Sequence, residues 1–117
     1  MKLSGIMLFC EDIRTLITFY RDVLGLIPDD PQPFPDHRFY RFHAGTDVGL
    51  SLHSGTKPNG GRQKLVFEVD SIQGLYNRLR RAGKRVRKPK PQVGTMVFDF
   101  RDPEGNRIQV YGPYGSP

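Results

Sequence analysis

The stretch EDIRTLITFY, residues 11–20, decides the fold, because a second version of it, DSIQGLYNRL, occupies residues 70–79. In an alignment of the two stretches, the apolar residues coincide at helical spacing: Ile13 with Ile72, Leu16 with Leu75, and Ile17 with Tyr76. The strand-like segments that follow repeat in the same order, residues 40–42 as 98–100 and residues 50–52 as 108–110. A repeat of this length predicts two copies of one supersecondary unit, with any site lying between the copies.

Each copy is predicted to run strand–helix–strand–strand–strand. The apolar and turn patterns of the first copy predict a strand over 3–9, a helix over 13–24, a short edge strand in the proline-rich stretch that follows, and strands near 38–43 and 48–53. Those of the second copy predict a strand over 64–69, a helix over 71–82, and strands near 85–88, 95–101 and 106–112. The predicted N-caps are Asp12 and Ser71, the predicted helix stops are Gly25 and Gly83, and the predicted linker is residues 54–61. We therefore expect one α+β domain over 1–117, with modules at 1–54 and 63–113.

The composition of the chain bounds its class. It has 117 residues and a net charge of +6, and Cys10 is its single cysteine, which excludes an internal disulfide and suits a reducing compartment. No apolar stretch approaches the roughly 18 residues that a membrane span needs, so we expect a soluble cytoplasmic protein without a membrane partner. Basic residues crowd the segment from Arg78 to Lys90. This run could bind nucleic acid, but a solvated face is the preferred interpretation, since no nucleic-acid-binding motif accompanies it.

Two motifs accompany the repeat. Asp12 is followed by FYRDVLGL at residues 19–26, and FRDPEGNRI stands at residues 100–108. Together with the repeat, they resemble the vicinal oxygen chelate superfamily, which includes glyoxalase I, bleomycin-resistance proteins, fosfomycin-resistance enzymes and extradiol dioxygenases. The resemblance spans nearly the whole chain. It implies two βαβββ modules that form a cup-shaped mixed sheet with helices on the outer face, in a homodimer that shares its sites across the interface.

The resemblance also implies four ligand seats, which the metal-using members occupy with metal donors. In this sequence the seats fall on Gly5, Ser51, Lys64 and Gln109. Divalent catalytic metals prefer imidazole or carboxylate donors, whereas these residues lack a side chain or carry a neutral or cationic one. We therefore expect no cofactor and no metal at the seats. The alternative is a divalent metal at a relocated site that recruits His53 or Glu68, which share the strand faces of Ser51 and Lys64.

Strand parity extends the seats to a candidate ligand-binding lining. Its residues are Met7, Phe9, Ser51, His53, Lys64, Glu68, Gln109 and Tyr111. Some of them could instead pack a dimer interface, and Lys64 is either a clamp for an anionic group or an exposed lysine at a strand start. The residues of opposite parity are predicted to be core: Ile6, Leu8, Leu50, Leu52, Leu65, Phe67, Ile108 and Val110.

These patterns favour a small-molecule binding protein of the glyoxalase/bleomycin-resistance type, with the usual metal ligands lost. The basic balance of the chain and Lys64 favour an anionic or aromatic ligand. Whether it is an enzyme is left open, and the sequence identifies no catalytic residue. One alternative is a metal-dependent lyase, isomerase or dioxygenase of the same superfamily with a relocated site. A weaker alternative is an accessory protein that binds nucleic acid or another anionic surface.

Overall fold

The computed structural model contains two compact units, Met1–Gly60 and Gly61–Pro117. The residues that the structure describes are 1–29, 38–45, 48–55, 57–58 and 60–117. Each unit holds a four-stranded mixed sheet and a helical segment, in the order strand–helix–strand–strand–strand. The predicted α+β fold of two βαβββ modules is confirmed. No helix in the described ranges is long and apolar enough to cross a membrane.

The first unit packs one helical segment against its sheet. Its elements are β1 (Gly5–Cys10), α1 (Ile13–Thr18), a π-helical turn (Phe19–Val23), β2 (Ile27–Pro28), β3 (Phe39–His43) and β4 (Gly49–Ser54). The strand order is β1-β4-β3-β2, with β1 parallel to β4 and the other pairs antiparallel. Because side chains alternate along a strand, one face of the sheet meets α1 and buries Tyr40, Phe42, Leu50 and Leu52. We call the opposite side the open face.

The helical segment of the first unit begins and ends where the sequence predicts. Asp12 caps it, since its carboxylate accepts hydrogen bonds from the backbone N–H (3.2 Å) and the hydroxyl (2.6 Å) of Thr15. Gly25, whose φ is 80°, follows the last turn. The helix predicted over 13–24 is present, but its second half, Phe19–Val23, winds more widely as a π-helical turn.

The second unit repeats this arrangement. Its elements are β5 (Lys64–Glu68), α2 (Ile72–Arg81), β6 (Lys90–Gln92), β7 (Thr95–Arg101) and β8 (Arg107–Gly112). The strand order is β5-β8-β7-β6, with β5 parallel to β8 and the other pairs antiparallel. Helix α2 packs against β8, and full burial of side chains such as Leu79 and Ile108 contributes roughly 1.5–3 kcal/mol each before conformational entropy is subtracted. The face away from α2 is the open face of this sheet.

The strand predicted near 85–88 is wrong. Its place in the sheet is taken by β6, Lys90–Gln92, which forms a hairpin with β7. The connection is a two-residue turn that ends at Gly94, whose φ of 75° suits a tight reversal directly before β7. Pro91 is tolerated because β6 is an edge strand, where a missing N–H donor costs no ladder bond.

The predicted core is also wrong in part. Five of its eight residues are buried: Leu8, Leu50, Leu52, Ile108 and Val110. Ile6 is 40 % exposed, and Leu65 and Phe67 are only half-buried. These three residues belong to β1 and β5, which are edge strands: among the described residues, no strand pairs with their outer side.

The segment after β8 closes the N-terminus of α2. Ser71 is the N-cap, as predicted, and its hydroxyl accepts a hydrogen bond from the Gly74 N–H at 3.0 Å. The first two N–H donors of the helix bond to the carbonyls of Pro113 and Tyr114, at 3.0 and 2.9 Å. The donors of the first turn therefore have partners. Gly83, with φ of 79°, follows the end of the helix as predicted.

The predicted connections lie partly outside the described residues. The edge strand predicted in the proline-rich stretch is β2, whereas Pro31, Pro33 and Pro35 lie outside the described part of the chain. In the predicted linker over 54–61, Thr56 and Asn59 lie outside it. Strand β4 ends at Ser54, and the described linker residues that follow form no strand.

Candidate functional site

The open face of the first sheet carries four of the predicted ligand-binding residues. Met7 lies directly opposite Ser51, and Phe9 lies directly opposite His53, on the adjacent strands β1 and β4. Because alternate residues share a sheet face, all four side chains project from the same side. Met7 is 42 % exposed and the other three are partly exposed. The structure therefore brings these four predicted residues together.

His53 lies between two aromatic rings on this face. Its ring centroid is 5.8 Å from that of Phe9 on one side and 6.5 Å from that of Phe39 on the other. Its Nδ1 is 2.9 Å from the carbonyl oxygen of Ser54. Because a carbonyl only accepts, the ring donates through Nδ1 in this contact, and Nε2 is the nitrogen that the contact does not use. The cluster offers aromatic surface beside a polar ring nitrogen.

Arg41 adds a positive charge to the same face, next to the predicted residue Ser51. The two residues are opposite each other in the β3–β4 ladder. The guanidinium lies over Gly49, where a Cβ would come within 2.5 Å of its Nε, and Nε is 3.6 Å from a carboxylate oxygen of Asp29. Neither Arg41 nor Phe39 is among the predicted site residues. Both could have been found from the parity of β3, because they alternate with the buried Tyr40.

The open face of the second sheet carries the other four predicted residues. Lys64 and Glu68 lie on β5, and Gln109 and Tyr111 lie on the adjacent strand β8. The Lys64 ammonium reaches across β8 and lies 2.7 Å from a carboxylate oxygen of Asp99 on β7. Both members of this ion pair are partly exposed, so the pair contributes little stability, but it offsets the positive charge of Lys64.

A hollow of about 440 Å³ lies on this open face, beside the β6–β7 hairpin. Its lining residues are Gln92, Val93, Thr95, Val97, Gln109 and Tyr111. Two of them, Gln109 and Tyr111, were predicted. The other four were missed, because the strand that forms the hairpin was predicted at 85–88 and strand β7 was not included in the lining. The hollow combines apolar walls with two amide side chains, which is typical of small-molecule sites.

Asp102, in the motif at residues 100–108, has a structural role in this chain. The Asp102 side chain is 4 % exposed and lies in the turn between β7 and β8. Its carboxylate accepts hydrogen bonds from the backbone N–H groups of Glu104 (2.9 Å) and Asn106 (3.0 Å) and from the Asn106 side-chain amide (2.7 Å). These bonds fix the turn that positions the start of β8.

Asp12 and Asp22, two carboxyl groups whose pKa values are lowered, also lie away from the open faces. The hydrogen bonds from Thr15 hold the pKa of Asp12 below its usual value of 3.8, and the bond from Arg21 lowers the pKa of Asp22. Both groups belong to the helical segment of the first unit. The described residues contain no group of three or more His, Cys, Asp or Glu side chains that could hold a metal ion.

A model of the Glyoxalase/Bleomycin resistance protein/Dioxygenase superfamily matches residues 2–110. The chain belongs to this superfamily. No match was found among curated proteins. Among solved structures, the chain is similar to TnmS3, an antibiotic binding protein from Streptomyces sp. CB03234, with 23 % identity and a TM-score of 0.78 over 97 % of this chain and 96 % of that one.

Two further solved structures share the fold. A glyoxalase/dioxygenase from Nostoc punctiforme has 17 % identity and a TM-score of 0.80, with 96 % of this chain and 90 % of that chain covered. Lactoylglutathione lyase from Agrobacterium tumefaciens has 21 % identity and a TM-score of 0.71, with 95 % and 92 % covered. At these identities the likeness supports the fold alone.

The four ligand seats implied by the superfamily resemblance are a poor match for a divalent cation in this member. Gly5 has no side chain, and Ser51 and Gln109 offer only neutral oxygens. Lys64 is cationic and donates to Asp99. The set thus supplies no imidazole or carboxylate, and its one charged side chain is a cation. These residues do not fit a conventional metal centre.

Proposed function

We propose that this superfamily member binds a small organic molecule, aromatic or anionic, without a metal at the four seats. The observation that carries the proposal is the hollow of about 440 Å³ on the open face of the second sheet. Tyr111 and Val97 supply apolar surface there, and Gln109 supplies an amide that can both donate and accept hydrogen bonds. This combination suits an aromatic ring that carries a polar substituent.

The open face of the first sheet supports the same ligand chemistry. Phe9, His53 and Phe39 present aromatic surface, and Arg41 presents a guanidinium. Planar rings stack against aromatic side chains, and a guanidinium binds carboxylates with paired hydrogen bonds. The similarity to an antibiotic binding protein is consistent with this class of ligand.

The charges near the seats favour a binding role over metal chemistry. Lys64 must exchange its Asp99 partner for a ligand carboxylate before it can act as an anion clamp, which makes it a secondary contact. Gln109 on the second sheet then offers a ligand a neutral amide, and Arg41 on the first offers a guanidinium that Asp29 already engages at 3.6 Å. A guanidinium has no lone pair for a metal, and a single neutral amide oxygen does not make a divalent metal site.

We also propose a cytoplasmic homodimer that shares its sites across the interface. Cys10, the single cysteine of the chain, is a buried thiol outside any disulfide, which suits a reducing compartment. Met7 and Val66 are large apolar side chains that are 42 % and 56 % exposed on the open faces. Apolar side chains exposed in this way are typical of surfaces that a second chain or a ligand covers.

The experiment that tests the binding role is calorimetric titration of the purified protein with a panel of aromatic carboxylates and polyphenols. Tyr111→Ala should weaken the best ligand of the panel by about tenfold or more, because it removes the largest apolar wall of the hollow. The matched control is Tyr114→Ala, which removes an exposed tyrosine outside the hollow and should change the affinity less than about twofold. Equal losses in the two variants would contradict the assignment of the hollow.

Elemental analysis of protein purified without chelator tests the metal-free part of the proposal. We expect zinc, nickel, manganese and iron well below one ion per chain. A stoichiometric metal would instead favour the second candidate, a metal-dependent lyase, isomerase or dioxygenase. The observation that favours this candidate is the contact of His53 Nδ1 with the Ser54 carbonyl, since metal-ligating histidines commonly donate one ring N–H to a carbonyl and bind the metal through the other nitrogen. If a metal is present, His53→Gln should lower the metal content per chain. Glu68→Gln then tests whether the Glu68 carboxylate is also a metal ligand.

A further inference from the structure

A second concavity lies at the end of the second sheet, where β5 and β8 begin and β7 ends. The chain that follows α2 passes this end, so residues 84–87 line the concavity together with the strand termini. The volume is about 470 Å³. Among the residues that the structure describes, its cationic lining residues are Lys64, Lys84, Arg85, Arg87, Arg101 and Arg107, and Asp99 is the one acidic lining residue. We call this concavity the basic groove.

At least three of these six cations have no ion pair within the described part of the protein. Asp99 is engaged by Lys64 at 2.7 Å, and Arg101 donates to the carbonyl of Gly105 at 2.9 Å. Arg85, Arg87 and Arg107 form no ion pair with any residue that the structure describes. Like charges that are held around one concavity repel each other, and a bound anion removes that repulsion.

We propose that the basic groove binds an organic phosphate of nucleotide size. The planar guanidinium matches phosphate oxygens with two parallel hydrogen bonds, and four of the six cations are arginines. Val86 and Phe100 add apolar atoms to the lining, which an organic group attached to the phosphate can contact. The volume lies in the range of small-molecule sites.

The shape of the charged surface favours a small ligand over a nucleic acid. A nucleic-acid strand is usually tracked by a stripe of basic side chains along one face. Here the charges surround one local concavity, and the exposed Arg78 and Arg81 of α2 are not among its lining residues. The groove is a second site beyond the proposed small-molecule function. It shares only Lys64 with the candidate ligand-binding residues.

The test is an NMR titration of the full-length protein with ADP and with inorganic pyrophosphate as probes. We expect both probes to shift the amide signals of residues 84–87 and of Arg107. The double variant Arg85→Gln/Arg87→Gln should weaken ADP binding by about tenfold or more, since it removes two guanidinium groups that would contact phosphate. The matched control, Arg78→Gln/Arg81→Gln, removes the same charge from α2 and should weaken binding less than about twofold.

The outcomes separate the proposal from its rivals. If neither ADP nor pyrophosphate binds at concentrations up to about 10 mM, the proposal is overturned. Equal losses of ADP affinity in the two double variants would also overturn it, because they would mean that only net charge matters. Tighter binding of a single-stranded DNA oligonucleotide than of ADP, lost in the groove variant, would overturn it in favour of a nucleic-acid site. Arg107→Gln, from a different element, should repeat the loss of the first double variant. Native-like spectra of the variants verify that they fold, and Lys64 stays unchanged so that the proposed ligand site is not perturbed.

Discussion

Replacement of Asp102 by alanine should destabilise the protein by about 3 kcal/mol, because one buried carboxylate holds the turn between β7 and β8. The carboxylate accepts two backbone N–H bonds, at 2.9 and 3.0 Å, and one amide bond at 2.7 Å. A hydrogen bond to a charged group contributes about 1.5–3 kcal/mol. We take the lower end for the two backbone bonds and nothing for the amide bond, since Glu104 and Asn106 are only half-buried and water can replace part of what is lost.

Urea unfolding, followed by circular dichroism, measures this difference. For a chain of this size, about 3 kcal/mol corresponds to a fall of roughly 12 °C in the melting temperature. Asp102→Asn should fall between the wild type and alanine, because it keeps one oxygen for the backbone donors but turns an amide towards the Asn106 amide. The matched control is Asp99→Ala, which removes an exposed carboxylate with one ion pair and should cost less than about 1 kcal/mol. If Asp102→Ala costs no more than this control, the structural role of the motif is refuted.

Two further predictions concern the acid range and the glycines. Asp12→Asn should make the free energy of unfolding fall less steeply as the solution is acidified. In the folded protein the pKa of Asp12 lies below 3.8, so its carboxylate contributes fully to stability above pH 3.8. That contribution is lost as the pH falls through the lowered pKa of the folded state. Melting curves between about pH 2 and pH 6 measure this, and an unchanged pH slope would contradict it. Gly112→Ala should destabilise by about 3 kcal/mol because its Cβ would overlap the backbone carbonyl oxygen of Val69. Gly49→Ala should lower the free energy of unfolding by less than about 1 kcal/mol, because the Arg41 side chain that the new Cβ would meet can move. Similar urea midpoints for the Gly49 and Gly112 variants would contradict this prediction.

Much of the fold could be predicted because its signals are local. The repeat gave the order of the elements, and the caps at Asp12 and Ser71 follow from side chains that bond to N–H groups three residues away. The position of β6 could not be read in the same way. In the segment 85–88, charged and apolar residues alternate as they do in an edge strand. The tight turn at Gly94, however, makes residues 90–92 the ones that pair with β7.

The sequence predicts which sheet face each candidate site residue lies on, but not which side chains it contacts. Strand parity correctly put Ser51 and His53 on one face, and Gln109 and Tyr111 on another. Parity does not say which side chain reaches across an intervening strand, so the Asp99 partner of Lys64 was missed. The ligand-binding roles of these residues stay predictions, and so does the loss of the metal.

The capping of the two helices has a consequence for the sequence of events during folding. Asp12 finds its partner three residues away, so the cap of α1 depends on local contacts alone. The first donors of α2 need the segment after β8, and the Ser71 hydroxyl donates to the Ser116 carbonyl across a separation of 45 residues. That closure comes at an entropic cost which is recovered only when β8 has joined its sheet. We therefore expect α1 to begin early and α2 to be completed late, although the two modules share one order of elements.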